Sequence, residues 1–425
     1  MFRSWVFTEM PYPHIPPEDT FDSVRVSFPS RHYDPEVGHQ LYQAYYDMYA
    51  AADELGLDIM CNEHHATATC VEPAVPLSLA ILARETTRAR LLALGNPVAN
   101  RSDPVRVAEE MAMIDVISQG RLEVGFVRGV PQELSAGNVS PVDQKPRFRE
   151  AIDLILEAWQ AHDGPINWEG EHFHHRQVNV WPRVYQDPHP PVWIPTQSTS
   201  TAVETAERGF TVATILNGVA GCRSIFDAYR TRAAECGTDD PPLEKFAYLG
   251  LVAVGETDEE GYAIARKLQW YIQHNKVAPQ FMDVPGYIEP KVRAAMLQSQ
   301  LKGEEVTSPI AHLAHAPVEE LTEDGYFFAG SPDTVFHQMR RFYEKVGGFG
   351  NFLMMVQGGT MGLELATRTM ELYSREVMPR FRREVYGSAG PSAAAGPAGV
   401  SGLSADREDG APLGPAAAGD EPAPR

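Results

Sequence analysis

Cysteine is scarce in this chain: Cys61, Cys70, Cys222 and Cys236 are the four in 425 residues. So few in so long a chain do not make a disulfide framework, and a reducing, cytoplasmic setting fits best. No run of about 18 apolar residues occurs, so no membrane-crossing helix is expected. The opening Met1-Phe2-Arg3-Ser4-Trp5-Val6-Phe7 has neither the apolar core nor the cleavage pattern of a signal peptide. Positive charge is also short, with 36 Lys and Arg against 57 Asp and Glu and a net charge of −21. The longest basic run is Arg380-Phe381-Arg382-Arg383. Phosphate backbones are bound by basic patches that release counterions, so a nucleic-acid partner is not expected. A dinucleotide glycine fingerprint, a Gly-x-Ser-x-Gly elbow and the spacings C-x₂₋₄-C and H-E-x-x-H are all missing. Cys61, His64, His65 and Cys70, and the separate group His172-Phe173-His174-His175, therefore predict no metal site. From Gly387 onward large apolar residues nearly vanish in favour of Ala, Gly, Pro and Ser, which predicts a disordered tail over 387–425.

What remains, residues 1–386, reads as one folded unit. Hydrophobic residues make up 43% and charged residues 22%, enough for a sizeable core. Eight short apolar runs bounded by Gly, Pro or Asn predict strands at Trp5–Glu9, Leu57–Asn62, Arg90–Asn96, Leu122–Val127, Pro191–Thr196, Phe210–Leu216, Phe246–Val254 and Phe352–Val356. Their near-continuous apolar character suits parallel strands covered on both faces. Helical periodicity fills the connections. Asp103-Pro104 supplies an N-cap and an N1 proline, with Val107, Ala108, Met111, Ile114 and Ile117 on one face and Gly120 past the end. Eight β-α units predict an α/β fold, the (β/α)₈ TIM barrel, with a doubly wound open sheet as the alternative. Two stretches exceed a plain barrel: about 164–190, read as a hairpin or extended excursion, and about 279–329, read as a lid between strands seven and eight.

In such a barrel the chemistry gathers at the C-terminal ends of the strands. There the sequence places Glu9, the cluster Glu63-His64-His65, Asn96, Arg128-Gly129, Gln197-Ser198-Thr199-Ser200-Thr201, Asn217-Gly218 and Gln357-Gly358-Gly359. A carboxylate beside two imidazoles is suited to proton transfer near neutral pH, though either histidine alone could be a satisfied near-core residue. The hydroxyl run from Thr196 to Thr201 opens an amphipathic segment, and hydroxyls with free N–H groups at a helix start form an anion site. Arg128 could balance its charge.

These residues together resemble the bacterial luciferase-like family of flavin-dependent monooxygenases over about residues 1–383. The resemblance rests on Glu63-His64-His65, on Asp103–Glu110, and on Asp115–Leu122 running to Gly125-Phe126-Val127-Arg128-Gly129. Pro191-Val192-Trp193-Ile194 with Ser198 and Thr201, Gly330–Val335 and Val377-Met378-Pro379 complete it. It implies a barrel that binds reduced FMN and, with O₂ as co-substrate, oxygenates a small organic substrate through a C4a-peroxide. That species needs a dry, enclosed pocket. It implies acid/base chemistry at His64 first and His65 second, beside Glu63. Flavin phosphate contacts are implied at Arg128, Ser198 and Thr201, further cofactor contacts at Gly129 and Gln197, and contact with the flavin ring at Gly95 and Asn96. With no dinucleotide fingerprint, reduced FMN is expected from a separate flavin reductase, and the resemblance implies a homodimer. Val127 stands where the light-emitting enzyme has a reactive cysteine, so light emission is not implied. Hydride transfer with deazaflavin F420 and a non-catalytic flavin-binding barrel are the alternatives.

Overall fold

The computed structural model describes residues 1–387 apart from 18–19, 276, 283, 285, 289 and 302–308. The expected tail, except for Gly387, lies outside the described residues. Eleven strands are present among them: β1 (Arg3–Thr8), β2 (Asp58–Cys61), β3 (Leu91–Asn96), β4 (Leu122–Phe126), β5 (Ile166–Glu169), β6 (His174–Val178), β7 (Val192–Pro195), β8 (Thr211–Ile215), β9 (Phe246–Val254), β10 (Phe327–Gly330) and β11 (Asn351–Gln357). The helices between them are α1 (Pro35–Glu54), α2 (Val75–Glu85), α3 (Pro104–Ile117), α4 (Pro131–Ala136), α5 (Gln144–Gln160), α6 (Thr199–Glu207), α7 (Gly218–Glu235) and α8 (Asp258–Leu268). Then come α9 (Trp270–His274), α10 (Pro279–Met282), α11 (Pro290–Leu301), α12 (Pro309–His315), α13 (Val318–Glu323), α14 (Pro332–Val346) and α15 (Leu363–Leu372). No described helix is long and apolar enough to cross a membrane.

The main sheet runs β11-β1-β2-β3-β4-β7-β8, and β9 pairs with both β8 and β11, so eight parallel strands close into a barrel. All eight expected strands are in it. A ninth parallel strand, β10, was not expected, and it falls at the end of the stretch read as a lid. It extends the edge of β9 beyond the reach of β8: Phe246–Leu249 pair with Val212–Ile215, while Leu251–Val254 pair with Phe327–Gly330. Residues 164–190 hold the antiparallel hairpin β5–β6. Residues 279–329 hold α10 to α13 and most of β10.

Local sequence explains the elements. Every residue of β3, β4, β9 and β11 is buried, as strands covered on both faces require. Asp103 caps α3 by accepting from the N–H groups of Val105 (3.0 Å) and Arg106 (3.3 Å), and Pro104 opens the helix. Val107, Met111 and Ile114 are buried, whereas Ile117, expected on the same face, is exposed at 38%. The helix stops there, and Gly120 adopts the left-handed conformation (φ 80°) that glycine tolerates without a side-chain clash.

Trp5 of β1 and Trp193 of β7, separated by three strands, meet edge to face with ring centroids 5.5 Å apart. They fill the barrel interior. The Trp193 indole N–H donates to Glu123 (2.6 Å), whose other carboxylate oxygen accepts from the Arg90 guanidinium. This buried pairing fastens β4 to β7 and to the start of β3. Glu123→Ala strands both donors and is expected to cost about 2–4 kcal/mol. The loss will read as a lower denaturant midpoint at unchanged m value; a change under about 0.5 kcal/mol would mean that the pairing contributes nothing.

Candidate functional site

The barrel mouth holds a cavity of about 550 Å³ at the C-terminal ends of the strands. Phe7, Met60, Leu94, Ile194, Ile215 and Leu249, from six different strands or their ends, give it apolar walls. Glu9, Asn62, Glu63, His64 and Glu133 give it a polar side, and Arg128, Gly129, Thr196, Gln197, Ser198 and Thr201 line the same space. Tyr287, from the stretch read as a lid, lines it too. Its backbone oxygen accepts from the Gln144 side chain (3.5 Å).

The polar side is built around one oxygen. Glu133 Oε1 accepts from His64 Nδ1 at 2.8 Å and from the His65 backbone N–H at 3.1 Å. Burial alone would raise the Glu133 pKa. The His64 hydrogen bond and charge, the His65 N–H and the nearby Arg25 charge outweigh it, and the carboxyl is held below its usual range. An ionised Glu133 only accepts, so the proton in that bond sits on His64 Nδ1. His64 Nε2 is then the nitrogen left for other chemistry, with Glu9 Oε2 at 3.9 Å. Glu9 in turn accepts from Asn62 Nδ2 at 2.8 Å, and the Cys70 thiol contacts Asn62 Oδ1 at 3.7 Å.

Glu63 and His65 sit differently. Glu63 Oε1 pairs with His65 Nε2 (3.0 Å) and Arg101 Nη2 (2.6 Å), while Oε2 accepts from the Val75 N–H at the start of α2 (3.1 Å). Its side chain is fully buried and committed to protein partners, so it anchors the loop that presents His64. His65 does not line the cavity; its hydrogen bond to Glu63, against the opposing effect of burial, raises its pKa.

The anion cradle expected from the hydroxyl run takes shape at α6. Ser198 is the N-cap and makes no side-chain cap, so the first-turn N–H groups lack that partner. Thr196 Oγ1 accepts from the Ser198 N–H (2.9 Å), and Gln197 Nε2 donates to the Ile215 carbonyl (3.0 Å), fixing the turn. Arg128 lines the cavity and makes no ion pair among the described residues. Two glycines line the cavity at positions where a side chain would strike neighbouring protein atoms. A Cβ at Gly95 would come within 2.9 Å of both Gly125 O and Val127 Cγ1, and one at Gly129 (φ 86°) within 2.5 Å of Asn100 Nδ2. Asn96 is placed elsewhere. It does not line the cavity: fully buried, its amide donates to Gly125 O (3.3 Å) and lies 3.8 Å from Met111 Sδ of α3.

Sequence reasoning missed Glu133 and Arg25. Glu133 has no motif around it, and only the proline that opens its short helix hinted at an element there. The histidine group at 172–175 lies on the hairpin, where His174 faces Glu169 (3.5 Å) and His175 lies 3.9 Å from Asp103.

Behind the His64 loop, the Glu72 carboxyl is fully buried, and burial pushes its pKa up to about 8. A raised carboxyl pKa means that the folded state holds a proton the unfolded chain gives up above about 4.5. Its stabilising share is therefore complete in acid and lost as pH rises through about 8. Glu72→Gln removes that slope: relative to the parent, the variant gains stability between pH 5 and 9, read as a melting temperature rising by several degrees, roughly 1–3 kcal/mol. Parallel melting curves across that range would show that Glu72 ionises freely.

The comparisons with known proteins follow these lines. The family model described as luciferase-like monooxygenase matches residues 25–348. The chain is 32% identical over 165 residues to the flavin-dependent trigonelline monooxygenase, oxygenase component, of Acinetobacter baylyi; the match spans 38% of this chain and 45% of that protein. By structure, it resembles the oxygenating constituent of 3,6-diketocamphane monooxygenase from Pseudomonas putida, a type II Baeyer–Villiger monooxygenase, in complex with FMN (TM-score 0.65, 19% identity, 89% of this chain and 98% of the other). It also resembles an F420-dependent secondary alcohol dehydrogenase in complex with an F420-acetone adduct (TM-score 0.60, 16% identity, 80% and 95%). At such identities these two likenesses show the shared fold.

Proposed function

The chain belongs to the luciferase-like monooxygenase family, and we propose that it is the oxygenating component of a two-component system, using reduced FMN and O₂ to oxygenate a small organic substrate. The observation that carries this reading is the meeting, in one apolar-walled cavity, of an imidazole oriented by a carboxylate and a cradle suited to an anion. Reduced FMN, when bound, supplies the electrons that let O₂ deliver one oxygen atom to the substrate and leave the other as water.

The residues present fit that cofactor. Arg128, Ser198, Thr201 and the first turn of α6 would hold its phosphate through charge, hydroxyls and the helix dipole. Gly95 and Gly129 line the same cavity with bare backbone, against which a flat ring could lie. His64 Nε2 handles the proton: with Nδ1–H fixed on Glu133, Nε2 can accept a proton from a reacting group and return it. Glu63, Arg101 and His65 position the loop rather than touch the substrate. The apolar strand ends exclude water, and Tyr287, which lines the cavity, supports a lid over 279–329.

The partners follow the same line. The word component in the trigonelline relative's name supports a separate reductase for this chain. Leu77 and Ile81 of α2 and Met113, Val116 and Ile117 of α3 form an exposed apolar surface, which supports a homodimer. All four cysteines are free thiols, in keeping with a cytoplasmic home.

Two measurements test the reading. Arg128→Met combined with Ser198→Ala is expected to weaken FMN binding by about tenfold or more while leaving riboflavin, which lacks the phosphate, within about threefold. Equal losses for both ligands would remove the phosphate assignment. His64→Asn is expected to lower O₂-dependent product formation by roughly 10²–10³-fold with FMN affinity retained. Turnover with F420 under anaerobic conditions, and none with reduced FMN, would overturn the monooxygenase reading in favour of hydride transfer.

A further inference from the structure

We propose that Arg25 is a positioning residue: its charge sets the ionisation of the Glu133–His64 pair, and its hydrogen bond to Asn275 ties that pair to the segment following α9. Its effect on turnover rests on the function proposed for His64. Its effect on the imidazole rests on contacts within the protein alone.

Arg25 lies in the stretch between β1 and α1 that folds across the His64 loop. Tyr12 N–H donates to Ala68 O (2.7 Å), Val26 N–H donates to Ala66 O (2.6 Å), and Arg25 bridges Thr67. The residue is 4% exposed, and a guanidinium cannot shed its charge in a protein, so this cation is held in the interior. Such burial is costly unless the charge is matched by acids. Its Nε donates to Asn275 Oδ1 at 2.8 Å. Its Nη1 has no hydrogen-bond partner among the described residues and lies 3.9 Å from Glu133 Oε1, the oxygen that accepts from His64. Glu9, Tyr271 and Cys70 also face the guanidinium.

The charges around His64 can be assigned element by element. Glu133 reaches it from α4 and Glu9 from the end of β1, while Arg25, from the stretch above the loop, reaches Glu133. Glu63, on its own loop, is taken up by His65 and Arg101. Tyr271 of α9 faces Glu9 and Arg25, and Glu72 meets the His64 backbone N–H with its carbonyl (3.2 Å). Glu9 and Glu133 are thus two acids shared by one permanent cation, Arg25, and one conditional cation, His64. Without Arg25 the imidazolium becomes the only cation between them and holds its proton more tightly. His64 would then stay protonated to higher pH, and Nε2 would be lost as an acceptor.

Asn275 extends the device. Its Oδ1 also accepts from Thr69 Oγ1 (3.3 Å), and its Nδ2 donates to Tyr271 Oη (3.3 Å). It stands immediately after α9, where the chain leaves for the segment that carries Tyr287. A displacement of that segment would move the acceptor of Arg25 and, through it, the charge beside Glu133.

The test is a histidine-labelled NMR titration of the cofactor-free protein, with the His64 signal assigned by its loss in His64→Asn. Arg25→Met is expected to raise the His64 midpoint by roughly one pH unit, Arg25→Lys to return it part of the way, and Asn275→Ala to give a smaller rise of the same sign. The acidic limb of the pH–rate profile, where His64 loses its proton and Nε2 becomes an acceptor, should move upward in step. Circular dichroism and a cooperative melt establish folding; if Arg25→Met does not fold, Arg25→Lys and Asn275→Ala still decide the matter. His64 midpoints within about 0.2 units of the parent in every folded variant would overturn the proposal. A shifted midpoint in a protein that shows no O₂-dependent product would uphold the role of Arg25 and sink only the proposed function.

Discussion

The ladder between Val212–Ile215 and Phe246–Leu249 closes the sheet on itself, and the rest of the molecule follows from that closure. A closed barrel of parallel strands has one carboxyl-terminal rim, so segments as distant as Glu9, His64, Arg128 and Ser198 end on the same opening. Closure also fills the interior: Trp5 and Trp193 meet across it, which leaves the cavity at the rim as the place where a ligand fits. The length of β9 then adds something a plain barrel lacks, because its exposed second half takes on β10 and seats the end of the long excursion after α8.

At the rim, function turns on how buried charge is matched. Glu133, Glu9 and Glu63 are each buried, and each is answered by a named cation or donor. Glu63 is answered so fully that it becomes structural. Glu133 is answered by a histidine and a buried arginine together, which leaves one imidazole nitrogen free in an apolar space. Few arrangements of side chains keep a titratable group ionised in the interior, and those that do are often found where proton transfer is needed.

Much of this was legible from the residues in order. The eight barrel strands were, because each is a buried run bounded by glycine, proline or asparagine, and the Glu63-His64-His65 trio and the hydroxyl run announced the rim. What was hidden was set by three-dimensional proximity. Glu133 meets His64, and Arg25 meets Glu133, from distant positions with no motif to mark them. β10 offers only Phe327-Phe328-Ala329-Gly330 within a long segment of short helices. Asn96 stands beside Gly95, yet it is buried against Met111 of α3, a contact between distant positions. The trio itself divided its labour in a way that no spacing could show.

The central claim is that this cavity delivers oxygen from O₂. Turnover under ¹⁸O₂ with externally reduced FMN and a panel of small organic substrates tests it directly, by mass analysis of the product. The account predicts one ¹⁸O atom in the product and its loss in His64→Asn. Unlabelled product, or oxidation that proceeds as well without O₂, would contradict it.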